Sequence, residues 1–226
     1  MLIFNLNNYS FKLNGKKILL ILMKENSTNY DILIKLVIIG DSGVGKSNYL
    51  YRFVEGEFCP IHEATIGFDY KLKISILPNS KKKVKFQIWD TAGQEKYMSI
   101  NKNLFQRVQG IILMYDISEP QTFNNLDKWM KIIREMASEL PLILIGNKID
   151  LIQERKISKE KGEKFASDNN IKLFESSGKS GENVEDSFIY LAEQIIQKNN
   201  IEDTQSVGDY VISKDTSFKK NKKKCC

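Results

Sequence analysis

From residue 33 onward the chain alternates between short apolar runs and longer stretches with helical spacing. The runs at 33–39, 68–77, 83–89, 110–115, 142–145 and 172–174 are rich in Ile, Val, Leu and Phe, and they predict strands. Helical spacing marks 46–54, 99–108, 122–138, 158–168 and 184–198. In the third of these, Phe123, Leu126, Trp129, Met130, Ile133 and Ala137 recur three or four residues apart, which predicts a stripe packed on a core. Pro78-Asn79-Ser80 separates the second and third strands and predicts an antiparallel hairpin. Alternation of this kind predicts an α/β fold: a doubly wound, mostly parallel six-stranded sheet with one antiparallel edge strand and helices on both faces. Ligands on such sheets bind beyond the carboxyl ends of the strands, so residues just after each apolar run are the candidates for chemistry.

The segments outside this pattern read differently. Residues 1–31 form an N-terminal extension with no sustained period, and Met23 stands as an alternative start that would make 1–22 a translated leader. Its one apolar run, 18–23, is too short to span a bilayer or to form a signal-peptide core. Residues 32–199 make up the folded domain. Residues 200–226 turn polar and lose their period, as a flexible tail does. The apolar fraction of 42% is that of an ordinary globular protein, and the domain is long enough to bury a core.

Charge matters mainly for where it sits. The net charge is +6, and Lys219, Lys220, Lys222, Lys223 and Lys224 put five positive charges in the tail. A basic tail suits a membrane surface or an interaction arm, and no aromatic residues interleave with the lysines as nucleic-acid binding would favour. The cysteines, Cys59 and the adjacent pair Cys225 and Cys226, lack the spacing of a disulfide-stapled domain, so a reducing compartment is the simpler reading.

Three motifs follow apolar strands. Gly40-Asp41-Ser42-Gly43-Val44-Gly45-Lys46-Ser47 fits the P-loop pattern between a strand and a helix. Its glycines let backbone N–H groups face phosphate oxygens, the helix start adds a positive dipole end, Lys46 reaches the β- and γ-phosphates, and the Ser47 hydroxyl ligates Mg²⁺. Asp90-Thr91-Ala92-Gly93-Gln94-Glu95 puts an acid at a strand end, as a second anchor for Mg²⁺. Gly93 offers an unobstructed N–H to a γ-phosphate, and Gln94 has the donor and acceptor needed to hold a water in line with phosphorus. Asn147-Lys148-Ile149-Asp150 supplies a carboxylate that can accept both N1–H and the 2-amino group of guanine; adenine has neither donor.

With Ser177-Gly178-Lys179, these motifs stand in the order and spacing of Ras-like small GTPases, and residues 32–198 resemble that superfamily. Four segments resemble the Rab family in particular: Ile66-Gly67-Phe68-Asp69-Tyr70, Lys85-Phe86-Gln87-Ile88-Trp89, Lys96-Tyr97-Met98-Ser99-Ile100 and Leu113-Met114-Tyr115-Asp116-Ile117-Ser118. The resemblance implies a P-loop GTPase fold and a GTP/GDP switch with slow hydrolysis in vesicle trafficking. It implies nucleotide contacts from Ser42, Gly43, Val44, Gly45, Lys46, Ser47 and Asn48 in the phosphate loop, and from Phe58 edge-on to the base. Thr65, Gly93, Asn147, Lys148, Asp150, Ser177, Gly178 and Lys179 complete that set. Mg²⁺ ligation falls to Ser47, Thr65 and Asp90, and catalysis to Gln94, Lys46 and Gly93. Tyr70 and Trp89 would lie on an effector surface, or else pack between strands.

The same resemblance implies lipidation of Cys225 and Cys226, two chains giving the stable anchorage that one does not. The expected partners are an exchange factor, a GTPase-activating protein, GTP-state effectors, a prenylation escort protein and a GDP-dissociation inhibitor, with no nucleic acid. The expected state is a monomer at the cytoplasmic face of an intracellular membrane, cycling with the cytosol. Two departures stand out. Leu104-Phe105-Gln106-Arg107-Val108 replaces a Tyr-Tyr-Arg-Gly-Ala run, and Gly178 replaces an Ala, which predicts a looser loop and a weaker base contact. His62 reads as a surface residue of the first switch segment. A Ras- or Rho-like signalling role and a nucleotide-locked scaffold are the alternatives. A P-loop kinase would share 40–47 but leave the guanine tetrapeptide unexplained.

Overall fold

The computed structural model describes residues 30–60, 68–91 and 102–199. Along the chain run β1 (Ile32–Gly40), α1 (Lys46–Glu55), β2 (Phe68–Ile76), β3 (Lys83–Thr91), α2 (Lys102–Phe105), β4 (Gly110–Asp116), α3 (Pro120–Asn124) and α4 (Leu126–Ala137). They are followed by β5 (Leu142–Asn147), a 3₁₀ segment (Ile149–Glu154), α5 (Lys159–Asp168), β6 (Lys172–Ser176) and α6 (Val184–Lys198). The strands form one sheet in the order β2-β3-β1-β4-β5-β6, with β2 antiparallel to β3 and all other pairs parallel. This is the doubly wound sheet with an antiparallel edge strand that the pattern predicts. Among the described residues no helix is long and apolar enough to cross a membrane.

Alternation along β1 divides the core in two. Ile34, Leu36 and Ile38 face a cluster closed by Tyr49, Leu50 and Phe53 of α1 and by Phe188, Leu191 and Ile195 of α6. Val37 and Ile39 face the other side, where Phe123, Leu126, Trp129, Met130 and Ile133 pack with Ile111, Leu113, Tyr115 and Leu144. Successive strand residues point to opposite faces, so a strand covered on both sides must be apolar throughout. β4 is buried at every position.

Element ends depart from the pattern in an informative way. The five mutually parallel strands each continue one or two residues past their apolar runs, taking in Gly40, Asp90 and Thr91, Asp116, Gly146 and Asn147, and Glu175 and Ser176. Strand pairing is a backbone property, so it continues into the polar residues that crown the sheet. The helix expected over 122–138 is two helices. α3 starts earlier, with Pro120 at its first position and Glu119 as its cap, and the chain breaks at Asn125 before α4. The helix expected over 99–108 ends at Phe105. Beyond it Gln109 is drawn to β1, its N–H donating to Lys35 O and its side chain accepting from Lys35 N. In the β2–β3 turn, Lys81 takes the left-handed backbone (φ 57°), and Leu77 and Lys82 close the loop.

Candidate nucleotide site

The phosphate loop leaves β1 at Gly40 and enters α1 at Gly45. Gly45 has φ 94°, and a Cβ there would lie 2.6 Å from Asn147 Nδ2, so both backbone and space require glycine. No side chain caps the start of α1. A helix N-terminus left this way offers its amides and dipole to an anion. Ser42 and Gly43 are exposed, Val44 is buried, and Ser47 and Asn48 are half-buried on the first turn of α1. Lys46 is 5% exposed, and its ammonium donates to Gly40 O at 2.9 Å and Asp41 O at 2.7 Å. Burial lowers its pKa to about 8, while Asp90 and Asp41 pull the other way.

Asp41 fastens this loop to the helices behind it. Its carboxylate accepts from Asn125 Nδ2 at 2.6 Å and from the buried Trp129 indole N–H at 2.8 Å. Sequence reasoning places Trp129 in the core but gives Asp41 no role. A core indole needs an acceptor, and that was the available signal.

Ser47 Oγ donates to Asp90 Oδ2 at 2.5 Å, joining the loop to the end of β3. A hydroxyl and a carboxylate side by side are hard oxygen donors of the kind Mg²⁺ takes, the remaining positions going to phosphate oxygens and water. The residues therefore fit that ion. Phe58 is half-buried three residues after α1. Thr65, His62, Gly93, Gln94, Cys225 and Cys226 lie outside the described residues.

Asn147, at the end of β5, ties three loops together. Its Nδ2 donates to Val44 O at 2.8 Å, and its Oδ1 accepts from Gly178 N at 3.1 Å. Asp150 accepts from Ser177 Oγ at 2.5 Å, and Lys179 Nζ lies 3.9 Å from its other oxygen. Ser177 Oγ in turn accepts from the N–H groups of Lys179 and Ser180 at 3.1 and 2.9 Å. Lys148 has φ 71°, and its ammonium pairs with buried Asp116 at 2.7 Å. Asp116 also accepts from Ser118 N and Oγ, which fixes the carboxylate. In the sequence Asp116 stands out only within a Rab-like segment, although an acid at a strand end is the same signal that marks Asp90.

Gly178 is buried, and a Cβ there would meet Tyr49 N at 3.2 Å and Tyr49 Cα at 3.3 Å. Glycine here lets the loop press on the backbone of α1.

A phosphate loop on a doubly wound sheet, with a carboxylate-bearing loop two strands away, defines a P-loop nucleotide-binding protein. The Ras family model matches residues 35–197. The chain is 42% identical over 200 residues to Ras-related protein Rab-10 of Diplobatis ommata, covering 87% of this chain and 97% of that one. It is 44% identical over 182 residues to human Ras-related protein Rab-8B, covering 79% and 87%. With Ras-related protein SEC4 of Candida albicans the identity is 38% over 209 residues, covering 89% and 97%. The chain belongs to the Ras family and is a Rab-type small GTPase, an enzyme that binds guanine nucleotide and hydrolyses GTP.

Proposed function

We propose that this GTPase is a lipid-anchored switch of vesicle trafficking whose nucleotide is held by the residues above. Amides of the phosphate loop from Ser42 to Asn48 bind the phosphates, with Lys46 on the β- and γ-oxygens. Ser47 and Asp90, joined by Thr65, hold Mg²⁺, which neutralises phosphate charge when bound. Asp150 takes the paired donors of guanine, Lys148 and Phe58 flank the base, and Ser177, Gly178 and Lys179 support it. Gln94 orients the attacking water, and Gly93 and Thr65 hold their loops on the γ-phosphate until hydrolysis releases them.

The observation that carries this reading is the Asn147 side chain, which links the phosphate loop at Val44 to the base loop at Gly178. It ties the phosphate loop to a tetrapeptide 103 positions further along the chain. Nucleotide released from the purified protein and identified by chromatography should be GDP or GTP; ATP, or none, would refute it. Asp150→Asn should shift preference from guanine toward xanthine nucleotides, and an unchanged preference would mean that another group reads the base.

Hydrolysis is slow without help, because no arginine occupies the phosphate loop to meet transition-state charge. Rapid unaided single-turnover cleavage would contradict this. An activating protein, an exchange factor and GTP-state effectors are the corresponding partners. The tail carries two lipids on Cys225 and Cys226 beside five lysines, with an escort protein and a GDP-dissociation inhibitor moving it between cytosol and the cytoplasmic face of a membrane. Loss of membrane partition in Cys225→Ser/Cys226→Ser is the expected result.

A further inference from the structure

The base loop reaches the phosphate helix through one more side chain, Arg52 in α1, to which nothing above assigns a role. Its Nε donates to Gly178 O at 3.1 Å, its Nη2 donates to Lys179 O, and its Nη1 donates to Gly56 O at 2.7 Å. Two of these carbonyls belong to the base loop, and the third belongs to the left-handed cap that ends α1. A guanidinium is planar and permanently charged, and its donors leave in fixed directions, so three carbonyls on one fork are placed relative to one another. The approach is close on the neighbouring side too, where a Cβ on Gly178 would lie 3.2 Å from Tyr49 N, tighter than ordinary van der Waals contact. Other ties of the loop run through Ser177 to its own backbone and to Asp150, through Lys179 Nζ to Asp150, and through Gly178 N to Asn147.

α1 begins at the phosphate loop. A shift of that helix is therefore carried by Arg52 to the loop that orients Asp150. We propose that Arg52 is a positioning residue that couples the grip on the phosphates to the grip on the base, so that guanine selectivity and slow nucleotide release both depend on it. This rests on 147–150 and 177–179 being the base site. Failure of that reading would show independently, as an unchanged base preference in Asp150→Asn.

The test uses the full chain loaded with a fluorescent GDP and chased with excess GDP. Arg52→Ala should raise the release rate about tenfold or more, since it removes charge-assisted hydrogen bonds. The discriminating readout is the base. The preference for GDP over inosine diphosphate, which lacks the 2-amino group, should shrink toward unity because Asp150 is no longer held in register. Arg52→Lys keeps the charge and stem but not the fork, so it should fall between wild type and Arg52→Ala. It also serves if the alanine variant does not fold. Gly178→Ala should speed release in the wild-type background and add little to Arg52→Ala, because both loosen the same contact. Release within twofold of wild type, or faster release with an unchanged GDP-to-inosine-diphosphate ratio, overturns the proposal.

Discussion

The middle of the sheet and its β2 edge are built on different terms. In the middle, β4 is buried along its whole length and β1 carries a core cluster on each face. At the edge, β2 turns Tyr70, Leu72, Ile74 and Ile76 outward, at 49%, 47%, 39% and 58% exposure. Its alternate side is polar: Lys73 donates to Phe53 O and pairs with Glu185, with its ammonium 4.1 Å above the Phe53 ring. Tyr70 leans on Trp89 of β3 with ring centroids 5.2 Å apart, so the pair packs across the strands with Tyr70 half exposed. The central strands end in the candidate nucleotide loops, and dense packing fixes them. β2 instead turns its apolar residues to the surface. Fixed geometry is concentrated at the candidate nucleotide loops, while the edge leaves an apolar row exposed.

The largest effect should come from the packed end. Phe188 stacks on Phe53 at 3.8 Å and also contacts Tyr49 and Phe86. Phe188→Ala should cost about 3–5 kcal/mol in denaturant unfolding of the GDP-bound protein. A cost under about 1 kcal/mol would erase the contrast.

Next is the tie behind the phosphate loop. Asp41→Ala strands the Trp129 N–H and the Asn125 amide, and should cost about 1–3 kcal/mol. It should also weaken GDP binding in calorimetry, because the loop loses its backing. Lost stability with unchanged affinity would show that the loop holds itself.

The third concerns Lys46 in the nucleotide-free protein. Its folded pKa, about 8, lies below the unfolded value of 10.5. Between these values the unfolded chain binds more protons, so stability should rise with pH across that window, by at most about 1.4 kcal/mol per unit. Phosphate restores the charge, so GDP binding above pH 8 should take up a proton. Calorimetry in buffers of different ionisation enthalpy measures that uptake, and Lys46→Met should abolish it.

The smallest effect belongs to the edge. Ile76→Lys should leave the melting midpoint nearly unchanged, within about 0.5 kcal/mol, because the residue is already exposed. A large loss would mean that the row is covered.

Much of the candidate site is legible because its chemistry is contiguous. Lys46 and Ser47 sit within eight residues of Gly40, and Asp150 lies within a tetrapeptide that follows a strand. What was missed is non-local. Arg52 meets Gly178 across 126 positions, and Asp41 meets Trp129 across 88, and no local pattern encodes either. The strand ends were cut short for a related reason: Asp116, Asn147 and Ser176 are polar, and hydrophobic periodicity does not see a strand continuing into its own active end. The break at Asn125 escaped notice because the apolar stripe runs through it, while the Asn125 amide turns to Asp41.

By itself, then, the sequence determined the order of strands and helices, the hairpin and the phosphate and base motifs, since each rests on neighbouring residues and on periods of two or 3.6. Tertiary structure alone decided which face of β2 meets solvent, how Gly178 seats on α1, and which distant partners hold Asp41, Lys148 and Arg52. Those contacts exist only once the sheet has brought separate loops to one edge, where buried polar groups find partners that sequence distance hides.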